Sequence, residues 1–336
     1  MNGDEVRELA ANGTWDGQLI KGTLLETHIS WVILTASLAF KIKKPVRFSF
    51  LDFSTLERRE HFCRREVELN RRLSDIYLDV VPIHRREGGL VMGGEGGAPL
   101  DYAVRMRKMD PALEMSRLLA EGRVSPGRIV ELAHMLAAFH ATATIVRRPF
   151  YAQEMRQNFN DLHSVVGPIR RELGAEYAAI CESAIDCSNR FLAQHRALLA
   201  TRAADGFRRD LHGDFHAGNV FLSMPPVIFD CIEFNDALRE IDILDEVAFM
   251  CMDLEAAARR DLGERFLEAY AERMNLRLSD DEHALFAYYK IYRASVRAKV
   301  MALRKGDERD WPKVTRYLDY VREQLSEPGD GSVMRG

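Results

Sequence analysis

The chain changes character near residue 110, and this change limits the folds that it can adopt. Residues 18–42 are rich in β-branched and aromatic side chains, with turn-like interruptions at 26–28 and 35–37. This pattern predicts three antiparallel strands. After Pro111 helical patterns dominate as far as about residue 200. The sequence therefore predicts an α+β protein with a small β-rich part followed by a larger, mainly helical part.

The β-rich part also contains one long predicted helix. The sequence S-T-L-E at 54–57 predicts a capping box that opens a helix reaching about residue 74. Phe62, Glu66, Leu69 and Leu73 fall on one face of that helix, so Glu66 lies on an apolar stripe. An inward-facing carboxylate needs a cationic partner, and we expect one from the strands.

Further elements are predicted on both sides of the change at residue 110. Strands are expected near 80–83 and over 101–109, separated by the glycine-rich turn 88–97. Serine and proline at 125–126 predict the start of a helix, and a second capping box at 279–282 predicts a long helix to about residue 304.

Charge and cysteine content exclude several classes of protein. The 336 residues include 47 basic and 51 acidic ones, for a net charge of −4. Such a balance gives no electrostatic reason to expect nucleic acid or an anionic membrane as the main partner. Five cysteines without a C-x-x-C pair indicate neither a disulfide framework nor a zinc knuckle.

With no visible signal peptide and no apolar run long enough to span a bilayer, we expect a soluble, cytoplasmic protein.

The most informative segment is H-G-D-F-H-A-G-N at 212–219, followed eleven residues later by an aspartate at the end of an apolar strand. Phosphoryl transfer needs one carboxylate to orient the attacking hydroxyl, and a carbonyl and a second carboxylate to hold magnesium. Asp214, Asn219 and Asp230 match these needs in type and order. The alternative is a simple turn, since glycine, aspartate and asparagine favour turns.

Two features of the β-rich part favour the phosphoryl-transfer interpretation. The segment L-A-F-K at 38–41 places Ala39 and Lys41 on one strand face, as in the motif V-A-I-K. The inward Glu66 supplies the acid with which a phosphate-binding lysine pairs. Lys43 lies on the same strand face and remains the alternative, but only Lys41 has the small residue two positions earlier.

In these residues the sequence resembles the aminoglycoside phosphotransferase and choline kinase branch of the protein-kinase-like fold. Segments such as T-H-I-S-W-V-I-L, F-K-I-K-K-P-V and F-D-C-I-E-F-N resemble a bacterial group of undefined substrate, often fused to a P-loop domain. No G-x-x-x-x-G-K-[ST] occurs, so we expect that domain to be missing. The resemblance implies a bilobal fold, with a small N-lobe at 1–109 and a helical C-lobe at 110–336.

The resemblance implies an ATP site with the following parts in the first lobe. The turn 26–30 would lie over the phosphates, although it has no glycine. Lys41 and Glu66 would form the ion pair beside the phosphates. Arg107 and Met109, at the end of the last strand and the hinge, would offer mainly backbone groups to adenine.

The second half of the implied site consists of the loop and the metal ligands. Asp214 would be the catalytic base, Asn219 and Asp230 would bind Mg2+, and His212 would brace the loop. The implied function is an ATP- and Mg2+-dependent phosphotransferase acting on a hydroxyl of a small molecule.

Weaker candidates surround this site. We expect His140 to be a hydrogen-bonded core histidine and Asp242 to brace the catalytic loop, while Glu233 and Asp236 follow the metal aspartate closely enough to face a substrate. Three residues at i, i+4 and i+8 on the long C-terminal helix could line the acceptor cleft, although such residues more often serve the core and surface: Tyr289, Arg293 and Arg297.

Two other functions stay open alongside the phosphotransferase. One is an ATP-binding regulatory module of the pseudokinase type. The other is a protein serine/threonine kinase, which is disfavoured because the metal motif reads D-C-I-E instead of D-F-G and no A-P-E follows. The sequence leaves open the acceptor, including whether it is an aminoglycoside, the choice between ATP and GTP, and the oligomeric state.

Overall fold

The computed structural model describes residues 1–48, 51–94, 97–149, 151–304 and 309–326. It divides into two compact units. One contains Met1–Glu114 and Phe221–Leu238, and the other contains Met115–Val220 and Arg239–Gly336. The first unit holds most of the strands and the second holds most of the helices, which confirms the predicted α+β class. Positions 95 and 96 of the predicted glycine-rich turn lie outside the described residues.

The first unit is built on a sheet of eight strands. Its helices are α1 (Gly3–Asn12) and α2 (Leu56–Asn70). The strands are β1 (Thr14–Trp15), β2 (Gln18–Leu19), β3 (Thr23–Glu26), β4 (Ser30–Leu34), β5 (Leu38–Lys43), β6 (Tyr77–Arg86), β7 (Gly89–Met92) and β8 (Asp101–Arg107). Their order across the sheet is β2-β1-β7-β6-β8-β5-β4-β3.

The three predicted antiparallel strands are β3, β4 and β5, and the turns fall where the sequence placed them. Alternation along β5 buries Phe40 and Ile42 in the core of the sheet. The sheet is not wholly antiparallel, because β1 pairs parallel with β7. The helix α1 was not predicted. It buries Val6 and Leu9 and directly precedes β1 in the chain.

The start of α2 differs by one residue from the prediction. Thr55, and not Ser54, is the N-cap, and its hydroxyl accepts a hydrogen bond from the Arg58 amide. Ser54 instead donates its amide and its hydroxyl to Asp52 Oδ1, at 3.0 and 2.6 Å. A capping box at Ser54 would need the Ser54 hydroxyl and amide, and both already donate to the Asp52 carboxylate. The helix also ends at Asn70, earlier than predicted.

The second unit is mainly helical. Its helices are α3 (Met115–Ala120), α4 (Pro126–Thr142), α5 (Ala152–Asn160), α6 (His163–Leu173), α7 (Ala175–Gln194), α8 (Arg196–Ala204), α9 (Ile243–Ala256), α10 (Arg260–Met274), α11 (Asp280–Leu303) and α12 (Trp311–Ser326). A short strand pair is formed by β9 (Arg208–Asp210) with β12 (Glu240–Asp242). The residues of another short pair, β10 (Val220–Phe221) with β11 (Val227–Ile228), belong to the first unit except for Val220. The capping box predicted at Ser279 and Glu282 is present and opens α11.

The helix α9 forms the centre of the second unit. Residues 243–254 of this helix are all buried, including three acids. Because a buried carboxylate needs hydrogen bonds or a cation, each of these acids must have a partner inside the unit. All five cysteines of the chain are buried and free. Among the helices of the described residues, we find none with the length and hydropathy needed to cross a membrane.

Candidate functional site

The first unit brings three of the predicted site residues into contact. Lys41 lies on β5, and its Nζ donates to Glu66 Oε1 of α2 at 2.8 Å and to Asp230 Oδ1 at 2.5 Å. Glu66 is fully buried, whereas the side chain of Asp230 is 43% exposed. Lys41 is therefore one cationic partner of the inward glutamate, as expected, and its ammonium group also contacts Asp230, the predicted metal ligand.

The alternative lysine, Lys43, also contacts Glu66. Its Nζ donates to Glu66 Oε2 at 2.7 Å and to Glu233 Oε1. The two lysines differ in access to solvent, because the side chain of Lys41 is 13% exposed and that of Lys43 is 1% exposed. Of the two, Lys41 is the lysine that is more accessible to solvent. Glu233 is buried against Lys43, while the exposed Asp236 lies 3.7 Å from Arg65.

The two lysines keep the central glutamate ionised. Burial opposes the charge on Glu66, but Lys41 and Lys43 outweigh it and lower the pKa of Glu66 to about 2. Burial likewise favours the neutral amine of Lys41, but Asp230 and Glu66 hold the pKa of Lys41 well above its usual value. At neutral pH the site therefore contains two ammonium groups and an ionised Glu66.

The lowered pKa of Glu66 predicts a loss of stability in acid. A carboxyl group whose pKa is depressed in the folded state stabilises it above the unfolded pKa, and this contribution is lost as the pH falls through the folded pKa. The free energy of unfolding should therefore fall between pH 4.5 and about 2. Urea unfolding of Glu66→Gln should lack this part of the pH dependence. The exposed Glu68→Gln on the same helix is the control, and an unchanged pH profile for Glu66→Gln would contradict the prediction.

An apolar cluster packs on the same sheet as Lys41. Ala39, two residues before the lysine, is buried with Val104 and Met106, and partly buried apolar side chains extend the cluster: Val32, Leu34, Val80, Tyr102, Met109, Val227 and Phe229. The Arg107 amide donates to the Ile76 carbonyl at 2.8 Å, so this donor is already used within the sheet. Of the two predicted hinge residues, Met109 adjoins the cluster and Arg107 is tied to the Asp75 carbonyl through its guanidinium.

The predicted phosphate turn is closed by one hydroxyl. Thr27 Oγ1 donates to the Ser30 carbonyl and accepts from the Ser30 amide, both at 3.1 Å. The Thr27 amide also donates to that carbonyl at 2.8 Å. A threonine thus supports the turn by side-chain hydrogen bonds, in a place where the sequence has no glycine.

The second unit holds the loop 212–219, with Asp214 at its centre. Asn219 donates its Nδ2 to the Asp214 carbonyl at 2.9 Å and to Asp214 Oδ2 at 3.1 Å. His216 Nε2 lies 3.4 Å from the same carboxylate oxygen. Partial burial opposes ionisation, but His216 and Arg297 outweigh it and hold the pKa of Asp214 well below its usual range. Asp214 is therefore a carboxylate that accepts hydrogen bonds throughout the neutral pH range.

The backbone of this loop is held by a glutamate that the sequence reading missed. Glu246 Oε1 accepts from the amides of His212 and Gly213 at 2.9 and 2.7 Å. Its other oxygen lies 2.8 Å from Nε2 of His140, and Nδ1 of that ring lies 2.7 Å from the hydroxyl of Tyr270. His140 is fully buried, so it is the hydrogen-bonded core histidine that was expected.

The expected brace, Asp242, is a wrong assignment. It caps α9 by accepting from the Leu244 amide at 2.8 Å, and it forms a bidentate ion pair with Arg202. Glu246, one turn further along α9, points into the core and contacts the loop in its place. His212 does brace the loop, since its Nδ1 accepts from the Asp214 amide at 3.2 Å.

The other acids of α9 complete the support of the loop. Asp253 accepts from the Ala217 amide at 3.0 Å and from the Tyr317 hydroxyl at 2.6 Å. Asp245 forms a bidentate pair with Arg293, which donates to the Gly213 carbonyl at 3.0 Å. A sequence signal for these residues exists, because 243–254 is an apolar helical run that contains three acids. Acids buried with such a run need partners inside the fold.

The three candidates for the acceptor cleft have other surroundings in the second unit. Tyr289 and Arg293 are buried, and Arg293 binds the loop as described. Arg297 Nη1 lies 2.9 Å from His216 Nε2, and its guanidinium lies 5.7 Å from the Tyr317 ring centroid. Arg293 therefore supports the loop 212–219. Arg297 contacts His216, whose ring lies beside the Asp214 carboxylate.

The predicted metal ligands have the donor chemistry that magnesium prefers. Mg2+ binds oxygen and is usually held by one or two protein groups together with water and substrate phosphates. Asp230 offers a half-exposed carboxylate, and its amide is held by the Tyr77 hydroxyl at 3.0 Å. The amide nitrogen of Asn219 is used by Asp214, which leaves its side-chain oxygen as the group suited to a metal. Each residue alone therefore fits a magnesium ligand.

Comparison with protein families and relatives gives consistent matches. The model described as "Phosphotransferase enzyme family" (APH) matches residues 53–283. Over 286 residues the chain is 34% identical to the uncharacterized protein Rv2004c of Mycobacterium tuberculosis and to the uncharacterized protein Mb2027c of Mycobacterium bovis. Each match covers 83% of this chain and 54% of the relative, so the chain spans about half the length of the curated relatives that it matches.

Three solved structures are similar to this one. The first is amicoumacin kinase hAmiN in complex with AMP-PNP, Ca2+ and Ami, with a TM-score of 0.57, 13% identity and coverage of 96% of this chain and 94% of that one. The second is a choline/ethanolamine kinase family protein from Mesorhizobium loti, with a TM-score of 0.53, 15% identity and coverage of 99% and 98%. The third is the GDP and kanamycin complex of APH(2")-IIia, with a TM-score of 0.53, 12% identity and coverage of 90% and 92%. At such identities the likeness concerns the fold.

Proposed function

Since this chain belongs to the phosphotransferase enzyme family and has the protein-kinase-like fold of aminoglycoside and choline kinases, we propose that it transfers the γ-phosphate of ATP to a hydroxyl group of a small molecule, with Mg2+ as cofactor. The observation that carries this proposal is the contact of Lys41 with both Glu66 and Asp230. These residues come from three separate motifs, and Asp230 lies 189 positions after Lys41.

In this proposal the first unit binds the nucleotide. The apolar cluster around Ala39 and Met106 takes the adenine ring, because an apolar surface next to polar backbone suits a flat heterocycle. Lys41 binds the phosphates, with Glu66 holding its orientation. Asp230 would hold the metal, which would supply positive charge next to the phosphates. The arrangement works mainly by positioning and by charge.

The second unit supplies the group that acts on the acceptor. The ionised Asp214 accepts a hydrogen bond from the acceptor hydroxyl and orients its oxygen toward the γ-phosphorus. The new O–P bond forms as the bond to the β–γ bridging oxygen breaks, ADP leaves, and the hydroxyl proton passes to Asp214 and then to solvent. A carboxylate with so low a pKa is a weak base, so its main part is orientation, in agreement with the dominance of positioning in phosphoryl transfer.

An acceptor screen with labelled ATP tests the proposal. The panel should contain sugars, amino alcohols and aminoglycosides, with GTP as a second nucleotide, and we expect label on a small-molecule hydroxyl and release of ADP. The aminoglycosides enter the panel because a fold neighbour was solved with kanamycin. Label on protein alone would favour the protein kinase, and Mg-ATP binding in a thermal shift assay without turnover on any acceptor would favour the regulatory module.

A further inference from the structure

Lys43 has no part in the proposed transfer, although it lies among the charged groups of the first unit. Its side chain is 1% exposed, so a bound nucleotide cannot reach it. The Nζ atom donates to Glu66 and Glu233 and lies 4.8 Å from the centroid of the Phe53 ring. A buried ion pair adds little net stability over apolar side chains of the same size. Its presence here therefore points to a positional role.

The charged groups around Lys41 and Lys43 indicate what this role is. Three carboxylates, from Glu66, Asp230 and Glu233, share two lysines. Each oxygen of Glu66 has its own lysine, while Glu233 depends on Lys43 and Asp230 depends on Lys41. Because Lys43 donates to both Glu66 and Glu233, Lys41 can exchange Asp230 for a phosphate while each buried glutamate keeps a lysine partner.

The backbone around Asp230 needs support from both sides. Asp230 has a φ of 65°, which is a left-handed conformation that costs a residue with a Cβ free energy. Such a conformation persists only where surrounding contacts hold it. Tyr77 accepts from the Asp230 amide, and Asn70 accepts from the Cys231 amide at 2.9 Å. Glu233, bound to Lys43, adds a side-chain contact at the end of this short segment.

We propose that Lys43 and Glu233 form a latch that holds the segment 230–233 against β5 and thereby positions Asp230 for the divalent ion, an inference that rests on the proposed function. Lys41 is then the lysine that moves between Asp230 and the phosphates, and Lys43 is the one that stays in place. Neither Lys43 nor Glu233 touches the nucleotide or the metal. They are positioning residues.

Calorimetric titration with ADP, in the presence and absence of Mn2+, tests the latch. The single variant Lys43→Met leaves two buried glutamates short of a cation, so the test uses the double variant Lys43→Met/Glu233→Leu, which removes both partners and keeps the Lys41–Glu66 pair. We expect the affinity for metal-free ADP to stay close to that of the wild type. The affinity for Mn2+-ADP should fall about tenfold or more, as is typical when a group that orients a metal ligand is lost.

A control removes a mostly buried lysine–glutamate pair from the second unit. Lys290 donates to Glu255 at 3.1 Å, with side chains that are 15% and 9% exposed. The double variant Lys290→Met/Glu255→Leu changes the same residue types without touching the latch. We expect its affinity for Mn2+-ADP relative to metal-free ADP to match the wild type.

Two single variants separate the geometry of the latch from its charge, and they decide the matter even if the double variant does not fold. Glu233→Gln keeps the length of the side chain and an oxygen for Lys43, so it should retain most of the Mn2+-dependent affinity. Glu233→Asp keeps the charge and shortens the side chain, so it should lose that affinity.

Three results would overturn the latch. One is a folded double variant with wild-type affinity for Mn2+-ADP, and another is the reverse order of Glu233→Gln and Glu233→Asp. The third is a wild-type protein whose affinity for ADP does not respond to Mn2+, which would reject the proposed function and the latch together. The first two leave the proposed function intact, so the two failures are distinguishable.

Discussion

Asp214→Ala should lower the rate of phosphate transfer by about 10³-fold while leaving the affinity for ATP almost unchanged. The reason is that Asp214 orients the acceptor hydroxyl and has no contact with the nucleotide in the proposed reaction. The loop itself should persist, because its backbone is held by Glu246 and Asp253 and not by the Asp214 side chain.

The measurement is a steady-state assay with the acceptor found in the screen, together with ATP binding by calorimetry. Asp214→Asn is the informative companion, since it keeps the size of the side chain and an oxygen for Asn219 but removes the charge. It should lose nearly as much activity. Asp205→Ala, in an exposed turn of the same unit, is the control and should transfer phosphate at the wild-type rate. Turnover by Asp214→Ala equal to that of the wild type would reject the role.

Glu246→Leu should lower the free energy of unfolding by about 3–5 kcal/mol, which is a large part of the stability of an ordinary domain. The substitution leaves the amides of His212 and Gly213 without an acceptor in a buried place, and His140 loses its partner on Nε2. Each orphaned buried group costs about 1–3 kcal/mol, so the losses add to a large effect.

Urea unfolding followed by far-UV circular dichroism measures this loss. Glu246→Gln keeps one carbonyl oxygen for the amides and should cost clearly less than the leucine variant. Glu264→Leu on the exposed face of α10 serves as the control for a glutamate-to-leucine change and should stay near the wild type. A loss below about 1 kcal/mol for Glu246→Leu would mean that water or backbone rearrangement satisfies the loop instead.

Local patterns predicted much of the fold and part of the candidate site. Strand alternation placed Lys41 on one face of β5, helical periodicity placed Glu66 inside α2, and the capping box at Ser279 opened α11. Each of these signals depends on residues that are a few positions apart, so the sequence contains the whole interaction. The short strands β1 and β2 have two residues each, which is too few for alternation to be seen.

The supporting residues of the loop were harder to find. Asp242 and Glu246 are both acids at the start of α9, and nothing in their spacing says which one reaches the loop. The answer depends on the direction in which each side chain leaves the helix and on the position of His212 and Gly213 in the packed unit. The start of α2 is similar, because the Ser54 hydroxyl donates to Asp52 and the N-cap is Thr55 instead of Ser54.

The sequence by itself determined the fold class, the position of the catalytic-loop motif and the inward direction of Glu66, because period and capping are local properties of the chain. Only the tertiary structure gave Lys41 and Lys43 different surroundings. Both lysines lie on the same strand face, and they became different when the segment carrying Asp230 and Glu233 packed against β5. That packing left one lysine within reach of solvent and enclosed the other, and burial of this kind depends on contacts between residues about 190 positions apart.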